Sequence, residues 1–355
     1  MVVNGTGRHP SVDLVEIGVS GLVKSAGQID DDFLVEWRGR NKIKSIKSMM
    51  NDAVIGALTF AFKMLIRQIK FRIDPTSQDN AALEVADFID GAMFQDMSMS
   101  WKDTISDIVS FLWYGYEYSE IVYKIRDGDA ADPSHRSKFN DGKVGWRKWP
   151  IRSQDTLWEW QFDESGGIQA FVQSAWPDYT TRVIPIDKAL LFRTESNRGN
   201  PEGLSILRSA WKSYRYKSRI ENIEAIGVER DLVGYPVAWL PPSYMDPGAT
   251  AAQKNTYEYV KKMVTAMRRD EWEGAVMPTA YDEHGHKLFD VTLLSTGGTR
   301  QFDTGAIITR YDQRILMSVL ADFMLLGSSQ VGSYALGETK TDLFTVALTA
   351  WVDGI

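Results

Sequence analysis

The chain contains no cysteine and only four histidines in 355 residues, so disulfides and thiolate metal sites are excluded and imidazole chemistry has few places to sit. This fits a reducing compartment. Long hydrophobic runs are also missing. The most apolar window, residues 53–66, contains Lys63 and is shorter than the roughly 20 residues a membrane helix needs, so it reads as a core helix. No secretory signal pattern is visible at the N-terminus, no repeat of 20–50 residues recurs, and no tract is of low complexity. The formal charge of −7 leaves no cationic surplus for tight wrapping of nucleic acid, because phosphate affinity rests on Lys and Arg displacing counterions. Any contact with DNA should be loose. What the chain does have is size and tryptophan. At 355 residues it exceeds the roughly 250–300 at which single cores stop growing, and its 12 Trp favour extensive subunit contact.

The stretch 199–236, GNPEGLSILRSAWKSYRYKSRIENIEAIGVERDLVGYP, organises the rest. Asn200 followed by Pro201 reads as a helix start, and Gly234 before Tyr235 and Pro236 as a stop, which predicts one helix over residues 204–233. At 1.5 Å per residue such a rod spans roughly 45 Å. Leu204, Leu207, Trp211, Tyr214, Ile220, Ile223 and Ile226 recur at helical spacing as a narrow stripe suited to packing beside neighbours. Charge is segregated along it. Arg208, Lys212, Arg215, Lys217 and Arg219 precede Glu221, Glu224, Glu229 and Asp231, so staggered copies set side by side could pair basic with acidic halves. Arg208, Lys212, Arg215, Arg219, Glu221 and Glu224 are the subunit-interface candidates.

Before the rod the pattern is α+β. Residues 1–40 show no sustained period and read as a loosely attached arm, in which Asp30, Asp31 and Asp32 are solvated charges. A strongly apolar helix follows over 43–65, then a strand at 69–74, and helices at 80–97 and 101–113. Strands are expected at 118–126, 146–149, 157–162, 168–173 and 189–193, with a hairpin turn at 163–167. After the rod come a helix over 250–269, strand-like residues 274–294 holding the turn DEHGH, and a second amphipathic helix over 305–326. A Gly/Ser-rich connection at 326–337 precedes a last helix over 341–352, which ends without a convincing cap, as though the chain were cut short.

No catalytic constellation is legible. Residues 199–203 lack the Lys-Ser/Thr pair of a phosphate-cradling loop and the spacing of a dinucleotide site. His284 and His286 beside Asp282 and Glu283 form no complete metal shell and read as a polar hairpin tip. His9 and His135 fall in expected loops, away from any Ser nucleophile motif. The residues therefore ask for no enzyme, metal or cofactor. Two other readings stay open: a hydrolase or transferase with a site assembled from distant residues, and a non-channel structural adaptor.

Four blocks carry a family resemblance: MMNDAVIGALTFAFKMLIRQIKFRIDP (49–75), FLWYGYEYSEIVYKI (111–125), GNPEGLSILRSAW (199–211) and VGSYALGE (331–338). In their order, and with the helix-insert-helix plan, the chain resembles portal proteins of tailed bacteriophages, the Mu-like family in particular, over residues 41–352. The resemblance implies an N-terminal arm (1–40), an α+β wing (41–203), a first stem helix (204–234), a small α/β clip (235–298), a second stem helix (299–326), a tunnel loop (327–337) and a helix returning to the wing (338–355). The helical crown usual in the family is then absent or minimal. It implies a homo-oligomeric ring, typically dodecameric, at the portal vertex of a virion capsid. Such a ring assembles in the host cytoplasm and passes double-stranded DNA during packaging and ejection, in contact with terminase, major capsid protein and a head-tail adaptor. Membrane and cofactors have no part in it. The tunnel loop would present Ser328, Ser329, Gln330, Val331, Ser333 and Tyr334 to DNA. Apart from Val331 these offer uncharged hydrogen-bonding groups, which touch a phosphate backbone without gripping it.

Overall fold

The computed structural model describes residues 18–233, 235–267, 281, 283–285, 287–294, 303–321 and 334–355. Its contacts divide into two units, residues 1–213 with 313–355, and residues 214–312. The first unit opens with the short strands β1 (Lys24–Ser25) and β2 (Gln28–Ile29), which pair antiparallel. The apolar run expected as one helix is two: α1 (Gly39–Met50) and α2 (Ala53–Arg67), bent by 97°. The break has a local cause. Asp52 Oδ1 accepts from the amides of Val54 and Ile55, capping α2, so the chain restarts rather than continues. No strand forms at 69–74, whose backbone has no ladder partner among the described residues. Helix α3 (Asn80–Asp90) winds into a π-turn at Gly91–Gln95, and α4 (Trp101–Ile108) and α5 (Phe111–Tyr114) follow.

The segment expected as one strand at 118–126 is likewise divided, into β3 (Tyr116–Glu120) and β4 (Val122–Ile125), because each has a different partner. β4 pairs with β5 (Val144–Lys148). β6 (Leu157–Phe162) and β7 (Ile168–Ser174) form the expected hairpin, extended by β8 (Thr181–Pro185), and β9 (Ala189–Arg193) pairs with β3. All described pairings are antiparallel. The hairpin turn is held by Asp163, whose Oδ1 accepts from Ser165 N, Ser165 Oγ and Gly167 N. The aromatics that crowd the sequence of these strands fill the core between them. Trp160 meets Tyr116, Tyr118 and Phe171 edge-on at 5.3–5.8 Å, and Tyr118 stacks on Phe171 at 4.8 Å. Each such pair adds about 0.5–1.5 kcal/mol beyond the area it buries. Helix α9 (Tyr334–Val352) packs on α2 through Phe344 and Trp351 against Phe62.

The long helix, α6, runs from Trp211 to Val233 (Trp211–Val233), two turns shorter than its periodicity suggests. Tertiary contacts capture residues 204–206 first. Leu204 N donates to Thr194 Oγ1, whose hydroxyl lies 2.7 Å from Leu204 O, and Ile206 N donates to Leu112 O. Asn200 does not cap the helix either, since its Oδ1 accepts from Glu202 N in a local turn. That turn seats on β3 through two facing glycines. A Cβ on Gly115 would lie 2.3 Å from Glu202 O, one on Gly203 2.4 Å from Gly115 O, and both residues have positive φ (+90° and +51°).

Within the second unit, β10 (Tyr235–Trp239) pairs with β11 (Asp290–Leu294), and α7 (Ala251–Met267) buries Val260, Met263 and Ala266. Tyr244 meets Phe289 edge-on at 5.3 Å. The second unit also holds most of α6, and the chain returns from it through α8 (Thr304–Met317), which is shorter than the expected 305–326. Residues 322–333 lie outside the described residues.

Candidate functional site

The rod is where sequence and geometry meet. Three contacts tie α6 to α8: Tyr216 stacks on Tyr311 (6.1 Å, 25°), Lys217 Nζ lies 2.6 Å from Asp312 Oδ1, and Thr304 Oγ1 donates to Glu224 Oε1 at 2.5 Å. As residue number rises along α6 it falls along α8, so the two helices are antiparallel. Lys217 is 3% exposed, and a charge so buried is tolerated only because Asp312 answers it, with Glu221 Oε1 a further 3.8 Å contact. Thus Lys217 and Glu224, which the sequence placed among the segregated charges, serve the hairpin itself.

The remaining charges sort by rotation around the helix. At about 100° per residue, Lys212, Arg215, Tyr216, Arg219, Ile223 and Ile226 fall on one broad face. All six are exposed, with Tyr216, Ile223 and Ile226 at 48%, 54% and 48%. Glu221 is exposed too, yet stands about 200° from Arg219, nearly on the opposite side. The structure therefore splits the interface candidates. Lys212, Arg215 and Arg219 share one side, and Glu221 has the other. Arg208 lies before α6, in the first unit, where its Nε and Nη2 donate to Asp32 Oδ2 and Oδ1 at 2.5 and 2.7 Å. Burial pushes the Asp32 carboxyl up, but the Arg208 hydrogen bonds and the Leu34 amide outweigh it and hold it below its ordinary value.

Of the tunnel-loop candidates, Ser328, Ser329, Gln330, Val331 and Ser333 lie outside the described residues, and Tyr334 is the first residue of α9. The last four residues of the expected loop, 334–337, are helical. Of the histidines, His284 is exposed in a turn, and His135 Nε2 lies 3.1 Å from Arg147 Nη1. Among the described residues no group of three or more His, Asp or Glu is placed to hold a metal, and no single helix is long and apolar enough to cross a membrane.

The sequence reading of Asp30, Asp31 and Asp32 as solvated charges missed a paired cluster. Asp30, Asp31 and Asp32 pair with Arg38, Arg198 and Arg208, and the buried Glu202 takes Lys42 Nζ on one oxygen and Trp160 Nε1 on the other. Sequence reasoning also missed Glu117, fully buried in β3, whose Oε1 accepts from Ser119 Oγ at 2.6 Å while Oε2 has no partner. Burial, with Asp107 nearby, lifts this carboxyl to about 8 against the opposing Ser119 bond. Alternation in a strand would have flagged only an acidic residue facing inward.

Comparison with known proteins gives three results. Solved structures that match include a chain from "Neck of empty GTA particle computed with C6 symmetry", at 12% identity and TM-score 0.48, covering 87% of this chain and 81% of that one. Another comes from "Virion of native gene transfer agent (GTA) particle", at 14% identity and TM-score 0.45 with the same coverages. No curated protein matches. The family described as "Portal protein of Mu bacteriophage" matches residues 43–352, nearly the whole length, and its members are structural connectors rather than enzymes: the chain belongs to this portal protein family.

Proposed function

We propose that this chain forms a ring-shaped channel, a dodecamer, at one vertex of a phage capsid, through which double-stranded DNA is packaged and ejected. The observation that carries the reading is the family match over residues 43–352, for that family implies an oligomeric ring in a virion neck. In this reading residues 41–203 are the wing, α6 and α8 the stem, 235–298 the clip that docks terminase and later head-tail adaptors, and 327–333 the tunnel loop. The two-sided α6 supports the ring. A cyclic assembly needs two different faces on each protomer, and a helix with Lys212, Arg215 and Arg219 on one side and Glu221 on the other supplies them. Exposed pairs contribute only about 0.2–1 kcal/mol each, but a ring repeats them at every interface. The charge of −7 per copy disfavours adhesion of a phosphate backbone, which suits a conduit.

Native mass measurement with end-on particle images tests the ring. A species that stays monomeric at high concentration and moderate salt counts against the channel and for a structural adaptor. Reversing Arg215 and Arg219 to Glu should weaken assembly, and adding Glu221→Lys should partly restore it. Deleting residues 328–333 should leave rings intact while impairing packaging or retention of full-length DNA. Normal packaging by that variant would remove the tunnel role from those residues without touching the ring.

A further inference from the structure

The segment that joins β2 to α1, residues 30–38, crosses the lead-in to α6 and is held there by three carboxylate–arginine pairs and, at its end, by the buried Trp37. Its ends are fixed, at Ile29 (6% exposed) in the strand core and at Ile43 and Ile46 in α1. Between them, Arg38 Nε lies 3.5 Å from Asp30 Oδ1 and donates to the backbone oxygen of Asp32. Arg198 Nη2 pairs with Asp31, and Arg208 grips Asp32 with two nitrogens. These last two arginines come from residues 167 and 176 positions away, on either side of the GNPEG turn. One apolar contact joins them: Trp37, 4% exposed, meets Trp211 edge-on at 5.9 Å, with the Arg208 guanidinium 5.4 Å from its ring.

The rest of the segment buries little. Phe33 and Val35 are 90% and 62% exposed, and beneath the segment lies a polar cavity of about 170 Å³ lined by Asp31, Asp32, Trp37, Arg198 and Glu202 among others. Trp37 anchors the C-terminal end of the segment by burial, but residues 31–36 cover a polar void with Phe33 and Val35 turned outward, so that part is retained by its ion pairs rather than by the hydrophobic effect. We propose that residues 30–38 are an ionic strap, closed by Asp31–Arg198 and Asp32–Arg208, that pins the lead-in of α6 and opens as a local unit when those pairs are lost. The Asp32–Arg208 pair is the main closure. It is bidentate and about four-fifths shielded from solvent, with side chains 18% and 23% exposed, whereas Arg198 is 50% exposed.

Hydrogen exchange on the purified full chain tests this, with amides of β6 and β7 as the internal reference. Raising salt from about 0.05 to 1 M should speed exchange across 30–38 by about tenfold, because pairs of this exposure are partly screened, and leave the reference unchanged. Asp32→Asn should produce the same acceleration at low salt and abolish most of the salt dependence. Exchanging the charges, Asp32→Arg with Arg208→Asp, should restore protection. Exchange in 30–38 that ignores both salt and Asp32→Asn would overturn the strap, and so would acceleration of the reference strands in step with it, since the segment would then belong to the folding core.

Discussion

Replacing Glu117 by Gln should stabilise the first unit above neutral pH, and the size of the gain follows from burial. Glu117 is 0% exposed, one of its oxygens accepts from Ser119 and the other has no partner, so the ionised form is poorly supported. Its carboxyl is raised from 4.5 to about 8. The folded chain therefore holds this proton through a window in which the unfolded chain has released it. Where the unfolded state binds fewer protons, stability falls as pH rises. The loss begins near the unfolded value of 4.5 and is complete above about 8. One pKa unit is worth a little over 1 kcal/mol, so the full penalty is about 5 kcal/mol, with a slope of a little over 1 kcal/mol per pH unit in between. An amide of the same shape keeps the Ser119 contact and does not titrate. Urea unfolding of wild type and Glu117→Gln at several pH values from 5 to 8.5 should give a difference that grows in favour of the variant as pH rises. A difference that stays flat across this range would mean that Glu117 ionises normally in the folded chain, which would refute the burial argument.

Three further outcomes are expected. Lys217→Met alone should destabilise the second unit by about 3–5 kcal/mol, since it leaves Asp312 without its partner at 2.6 Å, while Lys217→Met with Asp312→Leu should recover most of the loss in the same urea titration. Gly203→Ala should cost well over 1 kcal/mol, because the residue has φ +51° and the new methyl would lie 2.4 Å from Gly115 O; thermal unfolding reads it, with Gly142→Ala, where nothing lies within 4 Å, separating the φ penalty from the clash. Asp163→Ala should loosen only the β6–β7 turn, visible as faster amide exchange at Ser165 and Gly167 with the strand core unchanged.

Local patterns made much of this chain legible. Short apolar and aromatic segments bounded by turn residues located β6, β7 and β9, and Asp163 with Gly166 and Gly167 signalled the turn between the first two. Helical spacing located α6, α7 and α8, and the order of four sequence blocks carried the family. Where helices begin was a different matter. Residues 204–210 have helical periodicity, yet Leu204 O accepts from Thr194 Oγ1 and the next amides close three-residue turns, Arg208 N to Ser205 O and Ala210 N to Leu207 O, so the helical ladder starts only at Trp211. Non-local pairing separated three kinds of charge that look alike in sequence. Arg208 closes on Asp32, Lys217 is buried against Asp312, and Arg219 stays on the surface. Residue type and spacing determine which side chains can carry charge and which face of a helix they share. Only the tertiary structure decides which charges are desolvated and paired, because that depends on what the fold brings to within 3 Å from far along the chain.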